Sequence, residues 1–312
     1  MVSAHEHFLS YRQMGEVIDW YVDWMDSRGL EAEVAFLSER RLKFIEGAED
    51  RFIPFNMGPV GLYVNKVRLG GGRDAPARRE LAGVYREELK AESTWQGIGE
   101  FPLYMLMEPG AEPPMPDADF LEEVYNVGAE FDATVMVHPP YDRQFAFHPW
   151  DGKREEHPVY QALDSAFSEH PDTEFLIHGI ERPNLGFVNP LLEKHENWKY
   201  DISGIVNRTQ DPKFFTEFGL SREKQQAARE AFVGEMTDDR LQGQIERVHG
   251  TWEPIFAAHP ERVMWGFDAM FQWHYHEAVL DMLLKFFRGL FGRLPEANAR
   301  RIAFENAAEA WR

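Results

Sequence analysis

His5 and His7 stand two residues apart in the opening stretch Val2–Leu9. In a strand, residues two apart share a face, so both imidazoles would point the same way. Two imidazoles at the end of a short apolar strand suit a divalent metal ion. Ligand-type residues recur at the ends of later apolar stretches: Glu100, His138, His178 and Asp268. All six offer nitrogen or oxygen donors of the kind that take Zn²⁺, Mn²⁺ or Fe²⁺. The chain has no cysteine, which excludes thiol nucleophiles, disulfides and thiolate metal sites.

Positioning these six requires a regular succession of elements. Strand patterns fall at 2–9, 32–37, 51–56, 94–101, 132–138, 173–179, 198–204 and 262–268. Helical periodicity falls at 14–27, 76–90, 117–130, 157–170, 274–290 and 295–311, with a long helical excursion from Ser221 to about His259. Eight strands with helical material between most of them predict a distorted (β/α)8 TIM barrel, a single domain over 1–312 with a helical insertion at 205–260 covering it. The rival is a doubly wound open sheet. No glycine-rich phosphate fingerprint follows the first strand, and Gly70-Gly71-Gly72 stands in a loop far downstream. In a barrel the carboxyl ends of the strands converge on one mouth, which would make His5, His7, Glu100, His138, His178 and Asp268 neighbours.

At 312 residues, with 44% hydrophobic and 28% charged, the chain can bury a large core. Lys plus Arg number 33 against 53 Asp plus Glu, a formal charge of -20. With no basic surplus to displace counterions, a nucleic-acid partner is not expected. No run approaches 18 uninterrupted apolar residues, so no membrane span is expected either. A cytoplasmic location is slightly favoured. Export with a removed leader is the alternative, since the first strand begins almost at residue 2. A homo-oligomer is left open by the aromatic helix around Trp20 and the apolar run from Leu280 to Phe291.

The motifs His5-Glu6-His7, Val137-His138-Pro139, Ile177-His178-Gly179, Trp265-Gly266-Phe267-Asp268 and the tail from Asn298 to Ala308 resemble the amidohydrolase superfamily. The likeness covers nearly the whole chain and points to the amidohydrolase-related branch, which includes hydrolases, lactonases and metal-dependent decarboxylases. It implies metal ligation by His5, His7, His138, His178 and Asp268, and a closing helix whose asparagine, matched by Asn306, packs beneath the barrel. Many two-metal members carry a carboxylated lysine on strand four, where this chain offers Glu100. Either Glu100 bridges two ions, one on His5, His7 and Asp268 and the other on His138 and His178, or a single ion takes His5, His7, His138 and Asp268 and leaves His178 to orient substrate or water.

Both arrangements support activation of water by a divalent ion, most readily zinc, with manganese or iron as alternatives and one or two ions per chain. Asp268 is the expected general base, with His178 as the alternative proton carrier. The expected reaction is hydrolysis of a small ester, lactone or amide with a carboxylate-bearing cyclic or aromatic group. Decarboxylation of a small unsaturated or aromatic acid is the second reading, and a non-catalytic barrel the third. Arg143, Arg182 and Arg208 follow strands five, six and seven and could clamp a carboxylate. Trp273 and His274, close behind Asp268, could line the pocket.

Overall fold

The computed structural model describes residues 1–7, 14–69, 76–106, 112–140, 154–179, 185–205, 222–269 and 272–311. Its strands are β1 (Val2–Glu6), β2 (Ala32–Leu37), β3 (Phe52–Asn56), β4 (Gly97–Pro102), β5 (Thr134–His138), β6 (Phe175–His178), β7 (Trp198–Asp201) and β8 (Val263–Met264). They form one sheet in the order β1 to β8, with parallel pairing of β1 with β2, β3 with β4, β4 with β5 and β5 with β6. Ala4 N–H donates to Trp265 O at 2.6 Å, tying the first strand to the residue after the last. This is the expected distorted (β/α)8 barrel. Strands covered on both faces should read as apolar throughout, and β2, β3, β4 and β5 are buried along their whole lengths.

The helices are α1 (Met14–Arg28), α2 (Glu39–Leu42), α3 (Gly58–Leu69), α4 (Leu81–Ala91), α5 (Asp119–Phe131), α6 (Pro158–Glu169), α7 (Leu185–Lys194), α8 (Arg222–Glu235), α9 (Asp238–Ala258), α10 (Glu277–Phe291), α11 (Glu296–Arg300) and α12 (Asn306–Trp311). Sequence patterning does not predict α3 or α7. Gly58, Pro59 and Gly61 lower the helix propensity of α3, and α7 runs through Pro190. The excursion expected over 221–259 divides at Thr237, whose hydroxyl accepts from Arg240 N–H at 3.3 Å and caps α9. The tail helix expected over 295–311 is broken by a π-helical turn at Arg301–Glu305. β8 stops at Met264 rather than at Asp268, and β4 starts at Gly97 rather than Thr94. Glu100 therefore lies inside β4 instead of at its end.

Two compact units are distinguished within the chain. The first comprises Met1–Ala35, Gly47–Phe52 and Asp201–Arg312. Its core is α10, which buries Val279, Leu280, Leu283, Leu284, Phe286, Phe287, Leu290 and Phe291. Phe287 and Phe291 pack on Trp265 with ring centroids at 4.9 and 5.8 Å. Each such side chain is worth roughly 1.5–3 kcal/mol of burial. A Cβ on Gly289 would collide with Ile245, so glycine lets α9 and α10 approach closely. Arg28 makes a two-pronged pair with Asp281, at 2.9 and 2.8 Å, and Trp24 donates its indole N–H to the same carboxylate, clasping α1 to α10. Asn306 donates to the carbonyls of Pro260 and Val263, both at 2.7 Å, and so fastens α12 to the start of β8.

The second unit comprises Phe36–Glu46 and Ile53–Tyr200. Here α5 buries Leu121, Val124, Tyr125 and Val127 and ends on Asp132 in the left-handed conformation, φ 52°. Tyr125 donates to Pro116 O at 2.6 Å, and Thr173 donates to Tyr125 O at 2.9 Å. Phe167 of α6 stacks on Trp198 of β7 at 5.2 Å. No helix among the described residues is long and apolar enough to cross a membrane.

Two features of the first unit generate predictions. Glu33, paired in register with Ser3, is fully buried, and only its Oε2 has a hydrogen-bond partner among the described residues, the Tyr21 hydroxyl at 2.8 Å. Burial raises this carboxyl well above 4.5, against the smaller opposing effects of Tyr21 and Arg51. The folded chain thus holds a proton that the unfolded chain releases above about pH 4.5, and folding stability falls as pH rises past that point. Glu33→Gln, which has no proton to lose, should gain stability relative to wild type progressively from pH 5 to pH 8 in denaturant titrations. Tyr21→Phe should cost about 1–3 kcal/mol by leaving the carboxyl without its donor. Asn306→Ala strands two buried carbonyls and should lower stability by about 2–4 kcal/mol, measured the same way.

Candidate functional site

The first unit contributes residues from the ends of β1 and β8. β1 carries His5, whose side chain lies outside the described residues, and His7 follows directly, buried at 9% exposure. His7 Nε2 lies 3.4 Å from Asp268 Oδ1. Beyond β8 the buried rings of Trp265 and Phe267 anchor the chain, packing at 5.2 Å. Asp268 then turns into the left-handed region at φ 48°. Aspartate tolerates that conformation better than most residues, though it still costs roughly 1–2 kcal/mol. The segment behind it is gripped where the Tyr275 hydroxyl donates to Ala269 O at 2.7 Å.

The turn Gln272–His274 buries Trp273 and His274, at 5% and 2% exposure. Their rings meet edge to face at 4.1 Å, and Trp273 packs in turn on Phe232 of α8 at 5.7 Å. Burial pushes the His274 imidazole down to about 3; Asp268 opposes that shift and His7 adds to it. His274 is consequently neutral at physiological pH and lies within electrostatic reach of both residues.

In the second unit Glu100, His138 and His178 are all buried. His138 and His178 are the last residues of β5 and β6, and their rings stand perpendicular, 4.7 Å apart. His138 Nδ1 donates to Glu100 Oε1 at 2.7 Å, which sets the tautomer and leaves Nε2 as the basic nitrogen. The Tyr104 ring packs edge-on against the same imidazole at 4.9 Å. Gly179, φ 83°, follows β6 immediately, and a Cβ there would overlap His138 at Nε2. Glycine at this position therefore serves both the backbone conformation and the close packing of the His138 ring against it.

Of the sequence-derived site residues, the structure brings His7 to Asp268, Glu100 to His138, His138 to His178 and Trp273 to His274. Arg143, Arg182 and Arg208 lie outside the described residues. Two further buried polar residues occupy strand ends and escaped the sequence reading. Asn56 ends β3, donating to Glu88 Oε2 at 2.6 Å and accepting from Gly58 N–H at 3.0 Å. Asp201 ends β7 and accepts from both the amide and the hydroxyl of Ser203 at 2.8 Å. The same position-at-strand-end signal would have found them.

The donors fit a divalent ion in chemistry, being buried imidazole nitrogens and carboxylate oxygens. Among the described residues, no group of three or more such side chains is arranged to hold one.

No family model matches the chain, and no curated protein gives a significant match. Solved structures do. The 4-oxalomesaconate hydratase of Rhodopseudomonas palustris is similar with a TM-score of 0.58 at 12% identity, over 100% of this chain and 95% of that one. The probable 2-pyrone-4,6-dicarboxylic acid hydrolase of Acinetobacter baumannii, solved with citric acid bound, has a TM-score of 0.56 at 13% identity, over 99% and 98%. The 2,6-dihydroxybenzoate decarboxylase from Rhizobium has a TM-score of 0.52 at 14% identity, over 99% and 98%. At such identities what the chain shares with these neighbours is the fold.

Proposed function

We propose that this protein is a metal-dependent hydrolase that turns water against a small ester, lactone or amide bearing a carboxylate. The observation that carries the reading is the placement of buried nitrogen and oxygen donors at or near strand ends, His7 with Asp268 and Glu100 with His138 and His178. The names of the three neighbours, a hydratase, a hydrolase and a decarboxylase of carboxylic acids, support the substrate class.

In this reading His5, His7, His138 and Asp268 are the residues that would hold a divalent ion, with zinc the first choice and manganese or iron the alternatives. A second ion would draw on His178 and Glu100. The hydrogen bond between Glu100 and His138 favours the one-ion form, because it gives Glu100 the work of fixing a ligand's tautomer. The ion supplies Lewis acidity, activating water and polarising a carbonyl. Asp268 takes the proton of the attacking water on its carboxylate and returns it to the leaving oxygen or nitrogen. His178 donates a hydrogen bond that orients the substrate carbonyl. Arg143, Arg182 and Arg208 are proposed to hold the substrate carboxylate, while the buried rings of Trp273 and His274 back the site.

A second reading, decarboxylation of a small unsaturated or aromatic acid, is favoured by the likeness to the Rhizobium decarboxylase. There Asp268 would deliver a proton to the carbon that loses CO₂.

Purified protein should carry about one or two divalent ions per chain by elemental analysis, and His5→Ala should lower that content. Asp268→Asn should keep the fold and lose at least about 10²-fold in turnover, the lower end of what a positioned acid–base group contributes. The assay panel is lactones, amides and aromatic or cyclic carboxylates run in ¹⁸O-labelled water. Label in the new acid marks hydrolysis; CO₂ release without bond hydrolysis makes the decarboxylase reading the right one. Metal-free protein that Zn²⁺, Mn²⁺ and Fe²⁺ all fail to load would overturn the proposal.

A further inference from the structure

We propose that Tyr104 is a positioning residue for His138, its ring fixing the tilt of the imidazole that the hydrogen bond to Glu100 leaves loose. The inference rests on the reading of His138 as a metal ligand. It gives a task to a residue that sequence patterning leaves unmarked.

The register of the sheet brings the two residues together. Pro102, the last residue of β4, stands opposite His138, the last residue of β5. The chain therefore leaves β4 level with the imidazole and enters the turn Leu103–Met105. Leu103 and Leu106 are fully buried, and Leu106 N–H donates to Leu103 O at 3.0 Å, which anchors the turn at both ends. Tyr104 between them is half-buried, and its ring meets His138 edge-on at 4.9 Å with an interplanar angle of 66°. The bond from His138 Nδ1 to Glu100 Oε1, at 2.7 Å, fixes the imidazole at one nitrogen. Such a bond tolerates about 30° of misalignment, so by itself it sets the tautomer but not the aim of Nε2. A ligand keeps its hold on a metal only when its aim is kept within roughly 10–20°. Two rings stand against the imidazole and limit its tilt, Tyr104 and His178, the latter at 4.7 Å and 85°. His178 has a task of its own in the proposed reaction. Tyr104, set in an anchored turn, is the neighbour that serves as a fixed stop, and it does so through its ring.

The test uses the full chain and needs no substrate. Zinc affinity of the metal-free protein is measured by competition with a fluorescent chelator. The ring nitrogens of His138 are followed by ¹H–¹⁵N NMR, assigned by their loss in His138→Ala. Tyr104→Leu should weaken zinc binding about 3- to 10-fold, the worth of an edge-on aromatic pair, with the circular-dichroism spectrum unchanged. It should also shift and broaden the His138 signals of the metal-free chain. Tyr104→Phe, which keeps the ring, should match wild type in both measurements. In a His138→Ala background Tyr104→Leu should change zinc affinity by less than about 1.5-fold, because no imidazole remains to be positioned. Should Tyr104→Leu not fold, Tyr104→Met, unbranched and apolar, carries the comparison. If Tyr104→Phe loses as much as Tyr104→Leu, the hydroxyl and not the ring is responsible and the inference is wrong. It is wrong too if Tyr104→Leu leaves the zinc affinity or the His138 signals as in wild type while His138→Ala weakens zinc binding; the metal reading then stands. An undiminished loss in the His138→Ala background would equally overturn it, showing that Tyr104 acts independently of His138. If His138→Ala binds zinc as wild type does, the reading of His138 falls and the inference with it.

Discussion

Parallel pairing of strands in chain order is the constraint from which the rest follows. Parallel neighbours need a crossover, and crossovers place helices over the sheet, so strand residues are covered on both faces. Anything polar on such a strand must find a partner or stay neutral. Glu33 in β2 does both, taking the Tyr21 hydroxyl and a raised carboxyl. Glu100 in β4 is satisfied by the imidazole of His138. The two buried carboxylic residues differ in neighbour: one faces a helix aromatic, the other a ligand-type histidine at a strand end.

At the strand ends the same pressure is relieved by short-range bonds that also preorganise the side chains. His138 has its tautomer set by Glu100, and its ring packs closely on Gly179. Asp201 is closed onto Ser203 and Asn56 onto Gly58 and Glu88. Burial raises the Glu88 carboxyl; Asn56 partly offsets that, while Glu39 adds to it. Asp268 is the exception, since its backbone is held in an unfavourable region, and strain of that kind persists only where surrounding structure over-determines it. The grip of Tyr275 and the packing of Trp273 supply that determination.

Outside the sheet, helix placement is governed by a few specific contacts and not by amphipathicity alone. Arg28, Trp24 and Asp281 lock α1 to α10. Partial burial would raise the Asp281 carboxyl, but the hydrogen bonds from Arg28 and Trp24 outweigh it and hold the group below its usual range. Asn306 ties α12 to Val263 of β8 and to Pro260 just before it. Because the chain is acidic by 20 charges, such pairs also relieve self-repulsion locally.

The amino-acid sequence by itself determined the order of strands and most helices, since periodicity is local and each strand ends in a recognisable break. It also determined which donors stand at those breaks: His5, His7, His138 and His178 are legible because alternation and a terminal polar residue can be read within a few positions. Helices α3 and α7 escaped because glycine and proline blur their pattern, and tertiary packing overrides weak propensity. The sequence pattern puts Glu100 at a strand end, whereas the ladder continues past it to Pro102. Only the tertiary structure decided that Glu100 bonds Nδ1 of His138, that Asp268 adopts a positive φ, and that Phe232 packs on Trp273. These are contacts between residues distant in the chain, settled by how buried side chains share space, and no local pattern encodes them.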